Sequence, residues 1–422
     1  MKKRIVIIGG GFAGINLAKT LRRTREFHVT LVDKNNYNFF PPLLYQVATG
    51  FLEPSSISYP FRTFFGGRKD VTFWMGELLD IVQSQNKVIL SNGEIEYDYL
   101  VIATGTKTNF FGLENIEKYA IPMKTLNDAL NMRNTLLERI EMATKCKDEA
   151  ERDELLTMVI AGGGPTGVEV SGVLAEMSKS IIQKEYPELK NNRGSIYLVN
   201  GADRLLVPMS EKSQNYTLDA IKSLGVKVLL NTRVVDYDGE RVYFKDGNYI
   251  RSKNLIWATG VTAMTFPGIE KELYGPGNRL FVNNFNKVTN TNNIYAIGDT
   301  SLMQDDEDFP GGHPQLAQVA IQQGKQLAIN LQRINEGNEP KPFHYTDKGS
   351  MAIIGKTKAV ADIPKAGIHL QGFVAWIIWL FVHLFSLINK HDQLRTFYNW
   401  SIDYFSKNQD LRMIIRPKKI DK

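Results

Sequence analysis

Two glycine-rich turns in one chain, Gly9-Gly-Gly-Phe-Ala-Gly14 and Gly162-Gly-Gly-Pro-Thr-Gly167, carry the G-x-G-x-x-G spacing that lets backbone close on a pyrophosphate. In each, the first glycine (Gly9, Gly162) makes the tight turn. The second (Gly11, Gly164) lets the backbone approach phosphate, and the third (Gly14, Gly167) lets helix and strand pack closely. Helical patterns follow from Ile15 and from Val168, with Phe12 and Ala13, like Pro165 and Thr166, in the turns before them, and the helix amides face the phosphates. Nineteen residues past Gly14, the apolar strand Val29–Val32 ends in Asp33 and then Lys34, where a carboxylate would accept hydrogen bonds from a ribose 2′-hydroxyl. Two turns of this kind imply two bound nucleotides.

Other residues come in matching positions. Ala103-Thr104-Gly105 and Ala258-Thr259-Gly260 each end a buried strand where the chain leaves its sheet, and a third strand runs into Gly298-Asp299, where a cofactor's ribityl or pyrophosphate region would be in reach. Glu169, two residues past Gly167, reads either as a group that orients substrates or handles protons, or as a helix-start carboxylate favoured by the dipole by about 0.3–1 kcal/mol. Gln318 and Gln322 are four apart, so they share a helix face beside Ala317 and Ala320, small residues that admit a flat ring. An exposed polar face is the alternative. Gln46 in Pro41–Gly50 is a further candidate for the same pocket; its neighbour Tyr45 reads as packing.

The elements that must position these groups follow from the pattern around them. Apolar strands Ile5–Ile8, Val29–Val32, Thr157–Ala161 and Ser195–Val199 alternate with helical stretches, an α/β arrangement of two Rossmann-type dinucleotide-binding domains. A chain of 422 residues, 43% hydrophobic, is long enough for two or three such cores. Leu126–Glu154 reads as a solvated connecting helix. The net charge of +6, of which the tail after Gln409 supplies +3, is too modest for nucleic acid and fits a membrane surface better. Cys146 is the only cysteine, so no internal disulfide and no dithiol pair exist. No histidine, cysteine and carboxylate cluster has metal-ligand spacing, and the short apolar run after MKKR, ending in glycines, is not expected to be a signal peptide.

GGGFAG, the two ATG segments, GGGPTGVE and Gly298-Asp299 together resemble the two-dinucleotide-binding-domain flavoproteins. With PPLLYQVATG and PQLAQVAIQQG they are similar to type II NADH dehydrogenases, from Met1 to about Trp400. The resemblance implies FAD at Gly9–Gly14, Asp33, Lys34, Ala103–Gly105, Gly298, Asp299, Ala317 and Gln318. It implies a nicotinamide cofactor at Gly162–Gly167, Glu169, Asn200 and Ala258–Gly260, with Glu169 facing the nicotinamide. It also places Gln318 and Gln322 at the quinone end of the flavin, with Gln46 a weaker candidate there. The activity implied is a non-proton-pumping NAD(P)H:quinone oxidoreductase. The rivals are a reductase of the same fold with a protein electron acceptor, and a nucleotide-sensing flavoprotein that acts as a binding module. Disulfide reductases of this fold, and sulfide-oxidising relatives, need paired cysteines that this chain lacks. Where NADH-specific members carry a glutamate, this chain has Asn200, the counterpart of Asp33. An amide still binds a ribose hydroxyl but lacks the charge that repels a 2′-phosphate, so NADPH is expected to be accepted; Arg204, four residues on, reads either as a loop surface charge or as a group that reaches that phosphate.

The expected domains are an FAD domain from 1–110 and 281–345, a nicotinamide domain at 111–280 and a membrane-anchoring region at 346–422. Gly372–Ile388 is an apolar run of seventeen residues. As a helix it covers about 25 Å, short of the roughly 30 Å hydrocarbon core. A second helix carries a stripe of Leu394, Phe397, Tyr398, Ile402 and Phe405. With Trp376, Trp379, Trp400 and the basic tail, it suits the bilayer interface and anionic lipid. A buried hairpin, a homodimer contact and a transmembrane span are the alternatives. These features place the protein peripherally on the cytoplasmic face of the inner membrane, where a quinone is within reach.

Overall fold

The computed structural model describes residues 2–21, 26–68, 70–179, 183–190, 194–406 and 412–416. Two compact units emerge from the contacts, and both are discontinuous in sequence.

The first unit comprises Met1–Phe39, Ser58–Lys107 and Val261–Asp347. Its centre is a five-stranded parallel sheet with Lys3–Ile8 in the middle. Phe27–Asp33 and then Val71–Met75 lie on one side, Tyr99–Ile102 and then Ile294–Ala296 on the other. The register pairs Ile5 with Val29 and with Tyr99, so the strands are in step at the end where the first glycine turn begins. Near-continuous burial of Ile5–Ile8 and Leu100–Ile102 is what a parallel sheet covered on both faces requires. The helix Phe12–Leu21 leaves that turn and packs against the helix Ala317–Asn335. At Gly324 a Cβ would lie 2.4 Å from the Ala13 carbonyl oxygen, so only glycine permits the approach.

The second unit holds Phe40–Ile57, Thr108–Gly260 and Lys348–Lys422. It repeats the plan: a parallel sheet with Met158–Ala161 central, Ile196–Val199 and Lys227–Leu229 to one side, Asn254–Trp257 and Ile121–Pro122 to the other. The stretch expected to be a solvated connector is two helices, Leu126–Lys145 and Glu149–Leu156. The first buries Leu126, Ala129, Met132, Leu136, Leu137, Ile140 and Ala143, apolar positions at helical spacing that its many charges masked in the sequence reading. Its start is fixed by a capping box between Thr125 and Asp128.

The C-terminal part of this unit is a three-stranded antiparallel sheet, Ser350–Ile353, Ala359–Ile363 and Ile368–Gln371, followed by helices Gly372–Ser386 and Lys390–Ser406. The second helix holds the Phe40–Ile57 segment: Thr396 Oγ1 donates to the Ser56 carbonyl at 3.0 Å, and Asn399 Nδ2 to Ser56 Oγ at 3.0 Å. Among the described residues no helix is long and apolar enough to cross a membrane, which removes the transmembrane alternative for Gly372–Ser386.

Candidate active site

In the first unit Gly9 has φ +103°, and a Cβ there would meet the Ala103 carbonyl oxygen at 2.4 Å. Gly14 is tighter still: a Cβ there would lie 1.9 Å from the Gly9 carbonyl oxygen. At Gly11, by contrast, a Cβ meets nothing within 4 Å, leaving the open space above a helix N-terminus that a pyrophosphate needs. Asp33 does more than wait for a ribose. Its Oδ2 accepts the Gly10 amide at 2.7 Å and its Oδ1 the Asn35 amide at 2.8 Å, while burial pushes its pKa up against those bonds. Asn38, which the sequence reading missed, donates to the Gly10 carbonyl at 2.6 Å, so the turn is held from both sides. Lys34 is exposed beside Asp33. The site fits a dinucleotide.

The Gly298-Asp299 corner is fastened to the long helix by Gln323, also missed in sequence. Its Oε1 accepts the Gly298 amide at 2.7 Å and the Ser301 hydroxyl at 3.2 Å, and the side chain is wholly buried. Asp299 accepts from Thr106 at 3.3 Å, and Thr300 donates to the Gly105 carbonyl at 3.4 Å, which joins the Ala103–Gly105 segment to this corner. Gln318 and Gln322 follow Ala317 at the start of the same helix, both half-buried. The Gln322 amide is committed: Nε2 donates to the Thr346 carbonyl at 2.9 Å and Oε1 accepts the Thr346 amide at 3.0 Å.

The second unit repeats the cradle. Gly162 has φ +116°, and a Cβ there would lie 2.6 Å from the Ala258 carbonyl oxygen; a Cβ at Gly167 would lie 1.8 Å from the Gly162 carbonyl oxygen, whereas one at Gly164 would meet nothing within 4 Å. The helix begins at Pro165, where a missing amide hydrogen costs nothing. Asn200 copies Asp33: Oδ1 accepts the Gly163 amide at 3.0 Å, while Nδ2 donates to the Arg204 carbonyl at 2.8 Å. The Arg204 guanidinium is turned to Asp203, with both bonds at 2.9 Å. Thr166 and Thr259 are half-buried and Gly260 is exposed near the same strand ends.

Glu169 lies past the first helical turn, so the helix-start reading does not apply. The residue is 8% exposed, its carboxyl accepts the Ile353 amide, and burial pushes its pKa up to about 8. Burial, then the nearby Glu169 charge, hold the Tyr45 phenol well above its ordinary range.

A cavity of about 360 Å³ lies within this unit, large enough for a ring-sized ligand. Tyr45, Gln46 and Phe51 form one wall, Val173 and Glu176 of the Glu169 helix a second, Ile353, Gly355 and Lys356 a third, and residues of the two C-terminal helices, among them Trp376, Leu384, Trp400 and Ser401, the rest. Gln46 is engaged at both ends, by the Trp400 indole at 2.7 Å and the Tyr45 hydroxyl at 2.8 Å. Gln46 therefore borders the cavity, whereas Glu169 sits beneath its wall residues on the same helix.

The chain matches the pyridine nucleotide-disulphide oxidoreductase family over residues 3–324 and the NDH2 C-terminal domain over residues 348–408. The type II NADH:quinone oxidoreductase NdhA of Mycobacterium tuberculosis is 33% identical, with 96% of this chain and 88% of that protein covered. The chain belongs to the type II NADH:quinone oxidoreductases. A second relative of that name, from Haemophilus influenzae, is 30% identical over 86% of this chain and 87% of its own. The fold is that of NDH2 from Plasmodium falciparum solved in complex with NADH, with a TM-score of 0.89, 23% identity, and coverage of 99% and 100% of the two chains.

Within a type II NADH:quinone oxidoreductase the lone Cys146, which caps a helix C-terminus, leaves no dithiol to act beside a flavin. The fold alone would not decide this, since a sulfide:quinone oxidoreductase from Aquifex aeolicus shares it at a TM-score of 0.71 and 20% identity. The C-terminal helices divide their apolar residues between two surfaces. Trp379 is fully buried and stacked on His383 at 3.8 Å, whose imidazole burial pushes down to about 4. Trp376 and Trp400 are half-buried and border the cavity, so of the three tryptophans placed in the interfacial anchor Trp379 is the one wholly withdrawn from the surface. Phe385, Leu394 and Tyr398 are the most exposed, at 64–71%, and Phe373, Val374, Phe381, Val382, Phe397 and Ile402 are exposed as well. Of the basic tail, Arg412 and Arg416 pair with Glu185 and Glu138, while Lys407, Lys418, Lys419 and Lys422 lie outside the described residues, as do the side chains of Asp403 and Phe405.

Proposed function

We propose that the protein is a non-proton-pumping NADH:quinone oxidoreductase that binds FAD in the first glycine cradle and NADH in the second and reduces a membrane quinone. FAD, when bound, supplies the two-electron relay between hydride donor and quinone. The observation that carries the quinone assignment is the apolar cavity walled by the NDH2 C-terminal domain, which a protein electron acceptor would not need. Glycines 9, 11 and 14, with Asp33, Lys34, Ala103–Gly105, Gly298-Asp299 and Ala317-Gln318, hold FAD; Gly162–Gly167, Asn200 and Ala258–Gly260 hold the nicotinamide cofactor. On this reading the FAD domain is 1–110 with 281–345, the nicotinamide domain 111–280 and the anchor 346–422.

Glu169 keeps its proton near neutral pH, so it serves as a proton source rather than a fixed charge. Gln318 flanks the quinone end of the flavin. Gln322 belongs to that end of the helix but contributes by tying it to Thr346. Asn200 brings no negative charge, which supports use of NADPH beside NADH. The exposed Phe385, Leu394 and Tyr398 favour peripheral attachment to the cytoplasmic face of the inner membrane, with anionic lipid attracting the basic tail; a homodimer through that face is the competing use. Steady-state NADH oxidation by the FAD-loaded protein, with a panel of quinones and a ferredoxin-type protein as acceptors, tests the proposal. Turnover with quinone is expected, and turnover only with the protein acceptor would refute it.

A further inference from the structure

The polar atoms on one wall of the cavity have a fixed direction. An indole N–H can only donate, so the Gln46 atom 2.7 Å from Trp400 Nε1 must be the amide oxygen. The other end of that amide is then the NH₂ group, also a donor, and it lies 2.8 Å from the Tyr45 hydroxyl oxygen. Tyr45 therefore accepts from Gln46, and its own proton must be donated elsewhere. Among the described residues no group receives that proton, although Tyr45 is only 2% exposed and borders the cavity together with Gln46 and Trp400. A buried hydroxyl proton without an acceptor is costly, and a carbonyl seated in the cavity would relieve it.

We infer that the Tyr45 hydroxyl donates a hydrogen bond to one carbonyl of a quinone bound in this cavity, with Gln46 and Trp400 as the positioning residues that aim it. The inference rests on the quinone reading of the cavity given above. The remaining ionisable groups facing the phenol agree with a donor role. Glu169 and Glu176 approach it from one helix, and Glu176 and Lys356 border the same cavity, so a phenolate beside two carboxyls is disfavoured. The bond polarises the carbonyl that must accept electrons and fixes which end of the ring enters first. Tyr45 carries out no net chemistry in this role; it keeps its proton throughout.

Titration with ubiquinone-1 tests this, read by quenching of tryptophan fluorescence for binding and by steady-state KM for turnover, with flavin content and thermal unfolding checking the fold. Tyr45→Phe should raise both the Kd and the KM for ubiquinone-1 about three- to tenfold relative to any change in the KM for NADH, the span expected for one neutral hydrogen bond. Gln46→Glu places an acceptor-only carboxylate between Trp400 and Tyr45, which draws the phenol proton away from the cavity and should reproduce the effect without loss of volume. The double variant should be no worse than either single one. Should Gln46→Glu not fold, Trp400→Phe frees the amide to flip and is expected to weaken binding by a smaller factor. Leu384→Trp, which fills the cavity, separates the two readings. If it leaves ubiquinone-1 binding intact, the cavity is not the quinone site and both readings fall. If it abolishes binding while Tyr45→Phe has no effect, or if the two relay variants add independently, the Tyr45 assignment alone is overturned.

Discussion

Glu169 shows how burial holds a carboxyl in its protonated form. Burial raises its pKa from 4.5 to about 8, so between those values the native protein holds a proton that the unfolded chain has released. Its contribution to stability is thus fully present below pH 4.5, declines as pH rises, and is gone above about 8. Glu169→Gln should remove this dependence, flattening the stability curve across that window by up to about 1.4 kcal/mol per pH unit. Denaturant unfolding of the two proteins at several pH values checks it, and an unchanged slope would show that the group ionises as it does in water. Asn200→Glu makes the second residue-scale prediction. A carboxylate beside the adenosine ribose should lower kcat/KM for NADPH by about tenfold or more relative to NADH, since like charges at a binding site cost several kcal/mol. Both kcat/KM values measured in the two proteins decide it; an unmoved ratio puts cofactor selection elsewhere. The glycine turns and their acids were legible in the sequence because local backbone geometry dictates them. Asn38 and Gln323 were not, because each acts on a glycine 28 or 25 residues away that only the fold brings near.

At the scale of elements, the helix Ala317–Asn335 and the two C-terminal helices show where pattern reading succeeds and where it stops. The four-residue spacing of Gln318 and Gln322 was read as one shared face, yet Gln322 spends its amide on the Thr346 backbone. Gln322→Met should therefore lower stability by about 1 kcal/mol, the worth of a partly exposed pair of hydrogen bonds, as read by thermal unfolding. Gln318→Leu should instead slow flavin reoxidation by quinone more than flavin reduction by NADH in stopped flow; equal slowing would contradict its placement at the quinone end. The apolar run after Gly372 was legible, but its partition between cavity wall and outer face was not, since periodicity does not say which stripe meets the protein. Deleting the segment would open the cavity, so a gentler test suits it. Serine at Phe385, Leu394 and Tyr398 together should cut binding to vesicles of mixed zwitterionic and anionic lipid by at least tenfold while flavin content is kept, and undiminished binding would move the anchor elsewhere.

For the whole molecule, the sequence repeats one plan twice and then adds a third part of different character. Strand, glycine turn, helix and second strand ending in Asp33 or Asn200 recur with the same amide contact, Gly10 to Asp33 and Gly163 to Asn200. That repetition made the α/β architecture readable in advance. The placement of Phe40–Ile57 among the contacts of the second unit was not readable, because it depends on packing against the helix Leu126–Lys145 and on hydrogen bonds from Thr396 and Asn399, more than 300 residues later. On the proposed function, two nucleotide cradles and an apolar cavity serve one electron path from NADH to quinone. Sequential-mixing stopped flow tests it most directly: the FAD-loaded protein is mixed with one equivalent of NADH and then with ubiquinone-1, while flavin absorbance is followed. NADH is expected to bleach the flavin, and quinone to restore its absorbance at a rate at least as fast as steady-state turnover. Bleaching that persists in the presence of quinone, or recovery slower than turnover, would contradict it.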